Sequence, residues 1–174
     1  VVGGFSGSNK KLYVVNHDGT DVTNFPLDIG EKIRKGVALA DFNENGLDDI
    51  VFGTEDDHVY LILDDGTIAP GFPFTGDGKF QTPPIILIDN LINSNTHLII
   101  TGTDEGTLYA INSDGSLLFD YHTEYEITTS PSIYFKQGNT FIIFGNSNGD
   151  IHAIAFSDQV LNEEIQPIFS LGYP

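Results

Sequence analysis

Nine residues, Asp41 to Asp49, carry the densest oxygen chemistry in the sequence: D-F-N-E-N-G-L-D-D. Asp41, Asn43 and Asn45 stand at positions one, three and five, Gly46 at six and Asp49 at nine. Calcium takes six to eight oxygens from carboxylates, carboxamides, carbonyls and water. Side chains at alternate positions of a tight loop can converge on one point, and Gly46 lets the chain turn sharply. The backbone carbonyl of Leu47 then serves at position seven, and Asp49 closes the shell. Two carboxylates in the set predict the affinity of an extracellular module, on the order of 10⁻⁴–10⁻³ M. Magnesium, which keeps a small octahedral shell with several waters, suits the spacing less well. The loop is not an EF-hand, because position twelve is Phe52 rather than a bidentate Glu. The same residues have a second reading. Asn-Gly between apolar runs is a hairpin signal, and Asp and Asn favour turns through local backbone bonds. The residues alone leave metal loop and polar turn both open. The two sister loops are poorer: residues 89–97 keep Asp89, Asn93 and Asn95 but lack the glycine and closing Asp, and residues 135–140 have no carboxylate. One site is expected, not three.

Other chemistries find less support. There is no cysteine, hence no disulfide, thiolate ligand or thiol nucleophile. The five histidines form no H-x-x-x-H pair, and neither a G-x-S-x-G elbow nor a phosphate loop is present. Asp-Gly at 18–19, 65–66 and 114–115 is ordinary hairpin chemistry, and the acidic stretches 55–57 and 104–106 read as solvated faces. The net charge is −18 with only seven Lys and Arg, five of them before residue 36. A polyanion needs clustered cations, so nucleic acid is excluded as a partner; an acidic surface suits cations or basic partners. No apolar run approaches the ~20 residues of a membrane span. The opening VVGGFSGSNK lacks the basic and apolar regions of a signal peptide and reads as starting inside an element, as in a mature product or a fragment.

The elements that must position the loop repeat along the chain. KLYVVNHDGT (11–20), HVYLILDDGT (58–67) and TLYAINSDGS (107–116) superpose, and DIHAIAFSDQ (150–159) follows more loosely. Their shared positions Tyr13, Tyr60, Tyr109 and His152 are 47, 49 and 43 residues apart. Repeats of ~40–50 residues mark propeller blades. Each unit offers short runs of Val, Ile, Leu, Tyr and Phe bounded by Gly, Asp, Asn and Pro, which are strand signals. One turn of helix over 161–169 is the sole helical candidate. In residues 59–63 both alternating faces are apolar, with Val59, Leu61 and Leu63 on one and Tyr60 and Ile62 on the other. Two-sided burial is what a blade between two neighbours needs; a β-sandwich would leave one face wet. The expectation is an all-β chain forming a single β-propeller segment over 1–174. It has about four four-stranded blades, in units of about 1–30, 36–75, 82–120 and 129–170. The array is a partial ring, or half of a larger ring completed by a second copy.

The stretch ADFNENGLDDIVFGT resembles the calcium-binding repeat of FG-GAP and VCBS-type propellers, with Phe52-Gly53 and Phe144-Gly145 supplying the Phe-Gly pair. GTDEGTLYAINSDG (102–115) is similar to pyrroloquinoline-quinone-type propeller repeats, and DGTIAPGFPF (65–74) resembles a segment of secreted bacterial proteins that mix both. The resemblance implies an extracellular or cell-surface module, usually part of a larger protein. The expected function is a non-enzymatic, calcium-stabilised scaffold for binding or adhesion to protein or glycan. The alternatives are a calcium-dependent polysaccharide lyase or hydrolase, for which Arg34 as the sole arginine is a poor basis, and a structural fragment of a larger secreted protein. A quinone-dependent dehydrogenase is disfavoured, since such enzymes stack the cofactor on Trp and the chain has none.

Overall fold

The computed structural model describes residues 1–4, 7–89, 96–136, 139–157, 160–161 and 169–170. They form four antiparallel sheets in chain order, with no helix among them. The first holds β1 (Val2–Gly3), β2 (Lys11–Tyr13) and β3 (Leu27–Asp28). The second holds β4 (Ala38–Ala40), β5 (Asp49–Gly53), β6 (His58–Ile62) and β7 (Phe74–Thr75). The third holds β8 (Ile85–Asp89), β9 (Thr96–Gly102), β10 (Thr107–Asn112) and β11 (Leu117–His122). The fourth holds β12 (Ser132–Lys136), β13 (Asn139–Gly145), β14 (Asp150–Ser157) and β15 (Val160–Leu161), with β16 (Phe169–Ser170) also on β14. Each sheet is a meander, as expected of a blade. The outer strand of the second blade is only two residues long, because Pro70 and Pro73 upstream supply no N–H to a ladder; a lone bridge from Ile62 to Ile68 precedes it. Of the helical candidate at 161–169, Leu161 and Phe169 lie in strands, while residues 162–168 and the loop interior 90–95 lie outside the described residues.

The Asp-Gly turns are hairpin devices, as their sequence predicts. Asp18 Oδ1 accepts the N–H (3.0 Å) and the hydroxyl (2.7 Å) of Thr20. Asp65 does the same with Thr67, and Asp114 with Ser116. These hydroxyl bonds, then the backbone ones, hold all three carboxyls below the ordinary Asp range. The glycines that follow have φ of 84°, 86° and 81°, which L side chains rarely adopt.

Blades pack through both faces. Val51, Val59 and Leu61 of the second blade bury against Ile99, Tyr109 and Ile111 of the third. The opposite face of the second blade, Ile50, Phe52, Tyr60 and Ile62, buries against Leu12 of the first. Leu98, Ile100, Leu108 and Ala110 of the third meet Ile142, Phe144 and Ile154 of the fourth. The face partition expected for residues 59–63 is therefore the observed one.

The linkers between blades explain the glycine that closes each second strand. Ile33, Phe80 and Ile127, spaced 47 apart, are each nearly inaccessible and follow successive blades. A Cβ on Gly3 would collide with Ile33, one on Gly53 with Phe80, and one on Gly102 would lie 2.6 Å from Ile127 Cγ2. Each linker residue thus seats on a bare backbone. In the first two linkers an acid just upstream ties the linker to the next blade. Glu31 accepts the hydroxyls of Thr54 (2.7 Å) and Tyr60 (3.0 Å) and meets His58 Nδ1 at 2.9 Å. Asp77 accepts from Thr103 (2.9 Å) and Thr107, while its N–H donates to the Tyr109 hydroxyl at 3.1 Å. Burial, with these carboxylates beside them, pushes Tyr60 and Tyr109 up to about 12.

Candidate metal loop and the groove beside it

The loop between β4 and β5 is organised by its own side chains. Asp41 Oδ1 accepts the Asn45 N–H at 3.0 Å and Oδ2 the Gly46 N–H at 2.7 Å. Asn43 Oδ1 accepts from Asn45 N–H at 3.1 Å, and Asn45 Oδ1 from Leu47 N–H at 2.8 Å. Glu44 and Gly46 take left-handed φ of 59° and 88°, so the chain curls around these oxygens. Asp49, at the head of β5, is fully buried. Its Oδ2 accepts the Phe42 N–H and its Oδ1 the Asp64 N–H, both at 2.9 Å. It therefore joins the start of its own loop to the end of β6, 15 residues downstream.

Burial raises the Asp49 carboxyl above the ordinary Asp value, outweighing those two N–H bonds, and the charges of Asp64 and Asp41 add to the effect. Three carboxylates thus share this corner. From sequence, Asp64 belongs to the Asp64-Asp65-Gly66 turn and reads as hairpin chemistry rather than as a metal ligand. Its Oδ1 accepts the Asn45 Nδ2–H at 2.8 Å, 19 residues away in the chain. A sequence signal did exist: the residue before the repeated Asp-Gly turn is His17, Asp64 or Ser113 in the three units, acidic only in the unit that carries the loop.

The donor set fits a hard cation. Asp41, Asn43, Asn45, Asp49 and the Leu47 carbonyl offer only oxygen, and each carboxylate oxygen that accepts one N–H keeps a second lone pair. No three His, Asp or Glu side chains converge to hold a metal among the described residues. A cation here depends on the carboxamides and the carbonyl as much as on the carboxylates. The polar-turn reading is equally served by these bonds, which close the turn without any ion.

Beside the loop runs an apolar groove of about 560 Å³ between the first two blades. Val14, Val22, Phe25, Leu39, Leu47 and Ile50 line it, with Asp48, Asp64 and Asp65 also on its walls. Leu47, more than half exposed, belongs to the loop and to the groove together.

No protein-family model matches the chain, and no curated protein does. Solved structures do. The chain is similar to BamB from Moraxella catarrhalis, with TM-score 0.60 and 14% identity over 86% of this chain and 41% of that one. It is similar to BBS1N in complex with ARL6DN, with TM-score 0.60 and 15% identity over 98% and 48%. A computationally designed protein, Ika4, matches with TM-score 0.51 and 15% identity over 72% and 67%. The fold is a partial β-propeller. The chain spans about half the length, or less, of BamB and BBS1N.

Within the propeller two acidic stretches depart from expectation. Glu55 is no solvated face: it pairs with Arg34 Nε at 2.6 Å and Lys32 Nζ at 3.4 Å. Asp104 accepts the Lys79 N–H at 2.7 Å and faces its ammonium at 3.4 Å. Linker cations had been invisible as partners because each lies more than twenty residues from its acid in the chain.

The fourth propeller blade breaks the tyrosine pattern. His152 stands in the slot of Tyr60 and Tyr109 and is buried, stacked on Phe144 at 5.1 Å. Its Nε2 meets Asn146 Nδ2 at 3.2 Å, while Nδ1 has no partner among the described residues. Burial lowers its pKa, Asp150 opposing. A folded pKa below the unfolded value of about 6.5 means that the unfolded chain binds the proton first as pH falls. The neutral ring's contribution is complete above that value and is lost below it. Thermal unfolding at pH 8 and pH 5.5 is expected to show a larger acid loss for the parent than for His152→Phe. Equal losses would mean that this ring does not set the difference.

Proposed function

We propose that the chain is a non-enzymatic binding or adhesion module of the FG-GAP/VCBS type, extracellular or on the cell surface, stabilised by one calcium ion at Asp41, Asn43, Asn45, the Leu47 carbonyl and Asp49. The observation that carries this reading is the oxygen-only loop, in which a fully buried, raised-pKa Asp49 stands within the fields of Asp41 and Asp64 with no Lys, Arg or His side chain paired to it among the described residues. A bound calcium would neutralise these carboxylates and pin the β4–β5 turn to the end of β6. The acidic surface and the groove beside the loop support a protein partner; the reading extends to glycans through the FG-GAP/VCBS resemblance. The exposed Tyr134, and the half-covered Phe141 and Ile143, belong to a blade face with no further blade on it among the described residues. They support completion of the ring by a second copy or by a longer parent chain.

Calcium at millimolar concentration is expected to raise the melting temperature, and chelator to reverse the rise. With a Kd of about 0.3 mM, 10 mM calcium adds about 2 kcal/mol. Asp41→Ala and Asp49→Ala should each abolish the response. If both variants respond as the parent does, the metal assignment fails.

A further inference from the structure

The chain has two Asn-Gly pairs, Asn45-Gly46 and Asn148-Gly149, and the fold treats them differently. Both glycines are left-handed, with φ of 88° and 86°. The Gly149 N–H donates to the Asn146 carbonyl at 3.1 Å. Gly19, Gly66 and Gly115 of the Asp-Gly turns likewise donate to carbonyls three residues upstream, those of Asn16, Leu63 and Asn112. The Gly46 N–H instead meets a carboxylate, Asp41 Oδ2, at 2.7 Å. Among these five glycines it alone faces a base that can take its proton.

The Asn45 carboxamide is held at both ends. Its Oδ1 accepts the Leu47 N–H and its Nδ2 donates to Asp64 Oδ1, both at 2.8 Å. A flipped amide would set oxygen against the Asp64 carboxylate and NH₂ against the Leu47 N–H, so the orientation is fixed. The turn closed by Oδ1 and the Leu47 N–H folds the side chain back over the Gly46 nitrogen. Asn45 and Gly46 are both exposed, so water reaches them.

We propose that Asn45-Gly46 is a self-modification site, at which the fold speeds the conversion of Asn45 to aspartyl and isoaspartyl residues. The Gly46 N–H gives its proton to Asp41, and the nitrogen forms a bond to Asn45 Cγ. The electron pair of the Cγ–Oδ1 double bond moves to Oδ1, where the Leu47 N–H holds it. When the carbonyl re-forms, the bond from Cγ to Nδ2 breaks, and the nitrogen leaves as ammonia with that same proton. Water then opens the succinimide ring at either carbonyl. The sum is asparagine plus water to aspartate or isoaspartate plus ammonia, with no oxidant or reductant. The aspartyl product turns a carboxylate, not an NH₂ donor, toward Asp64, and the isoaspartyl product adds an atom to the backbone. Both loosen the corner between β4 and β5. The inference rests on the loop's hydrogen bonds and not on a calcium ion, so the test is run in chelator.

The purified chain is incubated at mildly alkaline pH, and both Asn-Gly pairs are followed by peptide mapping. Conversion is read as the mass gain of replacing NH₂ with OH, with aspartyl and isoaspartyl peptides separated. In the native chain Asn45 is expected to convert about tenfold faster than Asn148, or more. In urea the two rates should converge, since each is then an ordinary Asn-Gly peptide. Asp41→Asn should slow Asn45 by about tenfold or more while Asn148 keeps its rate. A native Asn45 no faster than Asn148 overturns the site. So does an advantage that persists undiminished in urea, because the dipeptide alone would then account for it. A folded Asp41→Asn chain that converts Asn45 at the parental rate overturns it as well. Should that variant fail to fold, the native-to-urea comparison in the parent decides alone.

Discussion

Asp49→Ala is expected to lower stability by about 2–4 kcal/mol in chelator, with no calcium present at all. The residue is fully buried and each oxygen accepts a backbone N–H, from Phe42 and from Asp64. Truncation strands both donors, at about 1–3 kcal/mol each, less whatever water can reach them. Asp49→Asn keeps the shape but turns an NH₂ group toward one of those N–H donors, so it should recover only part of the loss. Urea melts of the three proteins in chelator would check the order. A near-neutral Asp49→Ala in chelator would assign this carboxylate to the metal alone. A large loss there, with calcium response also abolished, gives it both duties.

The second large effect is expected at the linker joint. Ile127 is inaccessible and stands in the core between the third and fourth blades, so Ile127→Ala should cost about 2–5 kcal/mol. Gly102→Ala should cost about 1–3 kcal/mol for the opposite reason, since the new methyl would lie 2.6 Å from Ile127 Cγ2 and 2.8 Å from its Cβ. The Cβ of Ile127 survives truncation, but Cγ2 does not. The double variant should therefore be less destabilised than the sum by about 1 kcal/mol. Strict additivity in denaturant melts would show that the glycine is not there to seat the isoleucine.

Much of this architecture was legible because it rests on local pattern. The strand runs, the Asp-Gly turns and the two-sided apolar alternation of residues 59–63 each reflect a periodicity that burial imposes on the chain itself. The closing glycines were visible as residues, but their purpose was not. Ile33, Phe80 and Ile127 lie 25 to 30 residues from the glycines they cover, and nothing local marks a linker side chain as a plug. The site divides in the same way. Asp41, Asn43 and Asn45 were legible from spacing, since their bonds close within five residues. Asp64 was hidden because it reaches the loop through the pairing of β5 with β6.

The even spacing of Ile33, Phe80 and Ile127 has a consequence for how such a chain can change in length. Every joint is made between a blade and the linker that leaves it, and every acid staple between that linker and the next blade. No joint reaches past its immediate neighbour. Duplicating or excising a whole 47-residue cassette between Ile33 and Phe80 would recreate each seat and each staple. Losing one residue from within a strand would turn its side chains to the wrong face and unseat the plug at its end. The chain is thus tolerant of insertions in one unit of currency, the complete blade, and intolerant of small change.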